Sequence, residues 1–456
     1  MKLHYSLIGL VWMGAFLDMM YHTTLTSVLP KALTLTNPLM HALMFEIRPT
    51  VAILGAPVAG ILIQRYGWRA MIYLPFQLLA IAGAVLFVGN NSLTYLCVRI
   101  LQGLAAALLY PAGFTAVSRT HDETARGTAV AIALTGDVAI IIGPLLGGLL
   151  YDWGGRHLLA ASMLALTVLT LLALFSQANS ARGLPSDIPS IRDGLAASTS
   201  HQAGQGDLES IPQASSTGGM RPGGMTGGGR GYGVFANLHF VVCLVGLLVP
   251  WMTMAAIQAL LPLYYATRYH LSASYIGLLL TPPTLMEIIM GIGTGALIDI
   301  CSLSHQLITT IGGLLCSGSI FLLAGRLETH QLDVCQPIAL TLFGAGFGAV
   351  ETSSTAFAAK FMDDHGIADH GRLFAVLELA FNSGLLFGPL LSSIILFVTS
   401  DPAQPYVPLA ALYIPLALLS QWSYVAYRGG PALSSGRWTN EQTPISSAAI
   451  SGRDYT

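Results

Sequence analysis

Eight ionisable side chains stand inside stretches that are otherwise apolar: Asp18, Glu46, Arg48, Arg99, Asp137, Glu287, Glu351 and Glu378. Six are acids and two are bases, so the acids cannot all find a cation. An apolar medium disfavours a carboxylate, whereas a neighbouring cation favours it. A carboxyl group that passes between those two environments takes up and releases a proton, and so acts as a proton carrier. An arginine cannot give up its proton, so Arg48 and Arg99 can hold or bias the acids around them but not titrate. Asp18 lies one helical turn before Tyr21 and His22 and is a candidate for binding a proton or a cationic group; its other reading is a carboxyl hydrogen-bonded to adjacent helices. Glu351 admits the same two readings. An imidazole titrates near neutrality, so His22 could relay a proton, although a packing histidine is the plainer reading. Glu46, one turn from Thr50, reads as a neutralising neighbour of Arg48, and Asp137 as an acid added for this chain's own substrate.

The elements that must position these groups follow from composition. Of 456 residues, 54% are hydrophobic and 9% charged, with a mean hydropathy of +0.66. A soluble domain carries about 25% charged residues, so this is an all-α membrane protein of many spans. With about 20 apolar residues per span, helices are expected near 5–30, 40–63, 70–89, 93–117, 127–151, 157–175, 238–266, 274–298, 307–325, 336–358, 372–398 and 405–427. The first stretch is too long for a signal-peptide core and lacks a small-residue cleavage site, so it reads as an uncleaved span. A charge at membrane depth costs about 2.5–3.5 kcal/mol on insertion scales, so the eight groups need partners or a water-filled cavity.

Twelve spans put both termini on one side. Lys2, Arg65, Arg69, Arg119, Arg126, Arg182, Arg192, Arg221, Arg230, Lys360, Arg372, Arg428, Arg437 and Arg453 fall on that side, against Lys31, Arg156, Arg268 and Arg326 on the other. The positive-inside rule makes the termini cytoplasmic.

The spans divide into an N-terminal half, 1–175, and a C-terminal half, 236–427. Residues 176–235 turn to Ser, Gly, Pro and Gln, a composition that cannot bury enough apolar surface to offset ordering entropy. They read as a flexible cytoplasmic loop, and 428–456 as a tail of the same kind. Traces of duplication relate the halves. Gly143-Pro144 and Gly147-Gly148 place small residues on one helical face beside a proline, where another helix can approach closely. The signal returns as Gly384-Leu-Leu-Phe-Gly388-Pro389-Leu-Leu-Ser392-Ser393, and Gly60-Ile-Leu-Ile-Gln64 returns as Gly295-Ala-Leu-Ile-Asp299. Two such halves suit a central site opened alternately to either side.

Several classes are excluded. With 20 Lys and Arg against 22 Asp and Glu, nothing indicates a nucleic-acid partner. The five cysteines show no paired spacing, so neither disulfides nor a metal site are expected. No phosphate-cradling loop is present, so primary pumping is unsupported, and no nucleophile set marks an enzyme. Asn90-Asn91-Ser92 matches a glycosylation sequon in a very short loop. Tyr110, Trp251, Met252, Tyr264 and Tyr265 could line a cavity by stacking and cation–π contact, or pack and anchor at the interface.

These motifs resemble the major facilitator superfamily, and within it the proton-coupled drug antiporters and vesicular amine transporters. Gly143-Pro144 with Gly147-Gly148 is similar to the fifth-helix antiporter motif, with Gly388-Pro389 as its second-half copy. Arg99-Ile-Leu-Gln102-Gly103 resembles the fourth-helix motif, and Gly60 with Arg65, Gly67 and Arg69 resembles the loop motif after the second helix. Gln64 stands where that loop usually has aspartate, while Asp299 keeps the acid in the second half. Asp18, twelve residues before Pro30, matches the first-helix aspartate of the amine branch. Arg48 falls at its second-helix lysine, Glu351 and Glu378 at its tenth- and eleventh-helix acids, and Gln258 replaces its seventh-helix glutamate.

The resemblance implies a major facilitator fold of two six-helix halves and gives Arg99 a role in proton transfer or in anchoring its helix. It makes the second and eleventh spans neighbours, so Arg48 is expected to pair with Glu378, either as a titrating couple or as a permanent ion pair. The expected function is proton-coupled antiport of a drug, amine or secondary metabolite, driven by the proton gradient without a cofactor. A monomer in a plasma, vacuolar or vesicular membrane is expected. A nutrient uniporter or symporter, and a transporter-shaped sensor, are the alternatives.

Overall fold

The computed structural model describes residues 5–33, 38–67, 71–89, 91–120, 129, 132–133, 135–180, 237–301, 303–328, 333–365 and 370–429. Among them the regular elements are helices: α1 (Tyr5–Ala32), α2 (Pro38–Tyr66), α3 (Leu74–Val88), α4 (Ser92–Thr120), α5 (Ala139–Ser180), α6 (Leu238–Arg268), α7 (Ala273–Cys301), α8 (His305–Glu328), α9 (Cys335–Asp364), α10 (His370–Thr399) and α11 (Tyr406–Gly429), with a 3-10 turn at Thr135–Val138 before α5. A helix satisfies its own backbone in a medium without water, which is why apolar chain of this length takes that form. Eight of the described helices are long and apolar enough to cross a membrane.

The 42-residue α5 holds two of the expected spans. It breaks at Gly154 (φ −140°, ψ 16°) and Gly155 (φ +62°, ψ −162°), and the second of these lies in a region open to glycine at little cost. With α5 counted as two segments, the described helices number twelve. α5 also runs five residues past the expected boundary at 175, to Ser180. The rest of the central loop and the tail beyond Gly429 lie outside the described residues.

The two halves repeat one pattern of helix pairs. In the first half α1 packs on α5, α2 on α4, and α3 on α4 and α5; in the second, α6 packs on α10, α7 on α9, and α8 on α9 and α11. The halves meet along two seams, α2 with α10 and α5 with α7. Small residues let these helices touch backbone to backbone. A Cβ on Gly143 would run into Thr23 of α1, and one on Gly147 would lie 2.5 Å from the Thr24 carbonyl oxygen. Ser27 donates to the Pro144 carbonyl at 2.7 Å. Across the seam, Gly148 lies on Ala273 and Gly277 on the Pro144 carbonyl. In the second half Gly384 and Gly388 lie on Trp251 and Met252 of α6.

Hydrogen bonds gather Gly89, Asp152, Arg156, Tyr264, Ser274 and Leu327 at one end of the bundle, termed here the Asp152 end.

Candidate functional site

The first cluster is built on α1, α2 and α4. Asp18 and Arg48 are both buried, and the Arg48 Nη2 donates to the Asp18 Oδ2 in a direct ion pair. Tyr110 on α4 donates to the same oxygen at 3.5 Å. Gly103 fixes the height of the arginine, since a Cβ there would lie 2.6 Å from the Arg48 carbonyl oxygen. One turn along α4, Arg99 places its Nη1 3.1 Å from the His22 Nδ1, 3.3 Å from the His22 carbonyl and 3.2 Å from the Gln102 Oε1. Its guanidinium carbon stands 5.1 Å from the centre of the Phe45 ring, a cation–π contact. Its Nε and Nη2 are buried without a hydrogen-bond partner.

The second cluster belongs to the other half. The Glu351 Oε1 on α9 accepts the Trp251 indole N–H from α6 at 3.0 Å. Trp251 is fixed in turn by edge contacts with Phe347 at 5.0 Å and Phe381 at 4.4 Å. Glu287 on α7 lies beside the Glu351 carboxyl. The two acids meet because Gly344 and Gly348 of α9 lie on the backbone carbonyls of Pro283 and Glu287.

Between the clusters, Glu378 of α10 accepts the Asn382 side-chain amide at 2.8 Å. Both line a cavity of about 80 Å³ whose other walls include Ala52 and Ala56 of α2 and Ala107 of α4. This corrects the pairing expected from sequence: Arg48 is paired with Asp18, not Glu378. Glu378 lies opposite Ala52 and Ala56, one to two turns further along α2, and is taken up by Asn382, while the guanidinium reaches across to α1. Nor does Glu46 form an ion pair with Arg48 among the described residues, and its Oε1 is buried without a hydrogen-bond partner.

The remaining candidates are dispersed. Gln258 is buried in α6, and Pro389 is buried in α10. Asp137 lies in the 3-10 turn, with its side chain outside the described set. Gly60 faces open space, Arg65 lies 5.5 Å from the ring centre of Tyr66, and Gly67 ends α2 with φ +82°. Arg69 and the side chain of Asp299 fall outside the described residues. Met252 packs in the core with Trp251, whereas Tyr264 and Tyr265 gather around Tyr269 at the Asp152 end.

Sequence reasoning did not single out Asn382, Asp152 or the donor role of Trp251. Asn382 lies four residues after Glu378, a spacing at which helical side chains meet. Asp152 crosses the seam to cap the first turn of α7, accepting the Ser274 N–H at 2.7 Å, the Ser274 hydroxyl at 2.5 Å and the Ala273 N–H at 3.3 Å. Nothing in its local sequence announces that partner.

Residues 11–368 match the family model of the Major Facilitator Superfamily. The synaptic vesicular amine transporter of Mus musculus is 32% identical over 133 residues, 28% of this chain and 25% of the relative. The multidrug resistance protein MdtD of Citrobacter koseri is 29% identical over 153 residues, 32% of each chain. The alignments thus span only a quarter to a third of these relatives' lengths. The xylose transporter XylE of E. coli, in a partially occluded inward-open conformation, superposes with a TM-score of 0.61 over 94% of this chain and 99% of its own, at 13% identity, a likeness of fold.

Proposed function

The chain belongs to the Major Facilitator Superfamily, and we propose that it is a proton-coupled antiporter of a small organic molecule. It is a multi-pass membrane transporter and not an enzyme. The observation that carries the proposal is the unequal pairing of its intramembrane acids. Arg48 is bound by Asp18, which leaves Glu378 on an amide and Glu351 on an indole. Acids held by neutral donors rather than by a cation can accept either a proton or a cationic group of the substrate. Competition for such a site, combined with alternating access about the two seams, couples the two movements in opposite directions. The relatives named for amines and for multidrug resistance support a lipophilic amine or drug as cargo. The positive-inside count supports cytoplasmic termini, in a plasma, vacuolar or vesicular membrane.

The test is proton release from acid-loaded liposomes holding the purified protein, screened with lipophilic amines and neutral metabolites, with Glu378→Gln in parallel. Compounds that discharge the gradient through wild type but not through the variant are expected. Compounds that bind without moving protons would replace antiport with uniport or sensing.

A further inference from the structure

A second cavity lies away from both acid clusters, at the Asp152 end of the second half. It has a volume of about 620 Å³ and opens between the ends of α6, α8, α10 and α11. All of its lining residues belong to the second half, and α8 and α11 pack on each other and on helices of that half, so the cavity lies within the second half rather than across a seam. Its wall is apolar, with Leu260 and Leu263 from α6 and Leu396 and Phe397 from α10. Phe397 is 58% exposed and faces outward.

The mouth has a different chemistry. Arg268, in the last turn of α6, lines it and makes no ion pair among the described residues; Ser400 lines it as well. The nearby carboxylate of Asp401 is engaged by the Ala403 N–H at 2.9 Å and by the Gln404 amide at 3.4 Å. Tyr406, also in the wall, is 1% exposed and buries a hydroxyl that has no hydrogen-bond partner. Such a group is costly unless something fills the place of a partner. Tyr264 and Tyr269 stand beside the mouth with ring centres 5.5 Å apart, and Tyr265 lies 6.3 Å from Tyr269. Tyrosines gather at headgroup depth, so the mouth opens where phosphates lie and the apolar wall where acyl chains lie.

We propose that this cavity is a phospholipid site, with the phosphodiester held by Arg268 at the mouth and an acyl chain laid along Leu260, Leu263, Leu396 and Phe397. Arginine matches phosphate geometry, and its fork can donate two hydrogen bonds at once. The Ser400 hydroxyl lines the same mouth. The site does not depend on the antiport reading, because its occupant is a component of the membrane and not the cargo.

The experiment measures lipid retained by the detergent-purified protein in native mass spectrometry, after mixing with a dioleoyl phospholipid or with dioleoylglycerol, which has the same chains and no phosphate. Wild type should retain the phospholipid at least about tenfold more than the diacylglycerol. Arg268→Gln should remove that preference, Arg268→Lys should keep part of it, and Leu263→Trp should lower retention of both lipids. Arg65→Gln, at an exposed arginine on another surface, should leave it unchanged. Equal retention of the two lipids by wild type would show an unspecific apolar groove and overturn the proposal. So would undiminished phospholipid preference in a folded Arg268→Gln protein.

Discussion

The two halves repeat one pattern of helix pairs but treat their buried charges in opposite ways. In the first half Asp18 is locked to a guanidinium that never releases its proton. In the second, Glu351 is held by an indole and Glu378 by an amide. A symmetric scaffold therefore carries an asymmetric set of acids. The lesson is that duplication constrains how helices meet, while the choice of hydrogen-bond donor decides which carboxyl can change its proton.

The largest effect should come from breaking the first-half pair. Arg48→Met leaves Asp18 as a buried carboxyl without its cation, a loss of about 3–5 kcal/mol. Thermal unfolding in detergent should show it as a lower midpoint, and adding Asp18→Leu should recover much of the loss. A single Arg48→Met as stable as wild type would erase the contrast between the halves.

A smaller effect, in the second half, should separate coupling from stability. Trp251→Phe keeps the ring between Phe347 and Phe381 but removes the N–H given to Glu351. The expected cost is about 1–3 kcal/mol, together with a shifted pH profile of transport in liposomes. An unmoved profile would make Glu351 a structural acid like Asp18.

The smallest concerns the seam shared by both. Asp152→Asn retains an acceptor but gives up the charge facing the start of α7, worth about 0.3–1 kcal/mol at an exposed site. Cysteine labelling at the Asp152 end should rise modestly, with little change in unfolding temperature. A rise as large as that caused by a bulky residue at Gly148 would mean that the cap, and not the glycine contact, holds this end shut.

Much of the fold was legible from sequence because hydrophobic runs of about 20 residues admit one structure in lipid. Gly143, Gly147, Gly384 and Gly388 were legible as close-packing positions for a similar reason: small residues spaced along one face leave room for a backbone. The partner of Arg48 was not. Asp18 and Glu378 both lie on helices within reach of α2, and an apolar helix gives no polar stripe from which to read its rotation. Nor did sequence supply the height of α10 against α2, which sets Glu378 opposite Ala52 and Ala56. Asp152 was missed because its role depends on a helix start more than 100 residues away.

The glycine contacts along α5 and α7 bear on how the halves could part. Gly148 and Gly277 have no rotamers to fix, and Ala273 and Pro144, which they touch, have almost none. Forming this seam therefore freezes little side-chain motion, and separating it liberates little. Movement about it would carry a small side-chain entropy change, leaving the balance between open and closed to hydration of the parted surfaces, to contacts such as the Asp152 cap and to whatever occupies the acids.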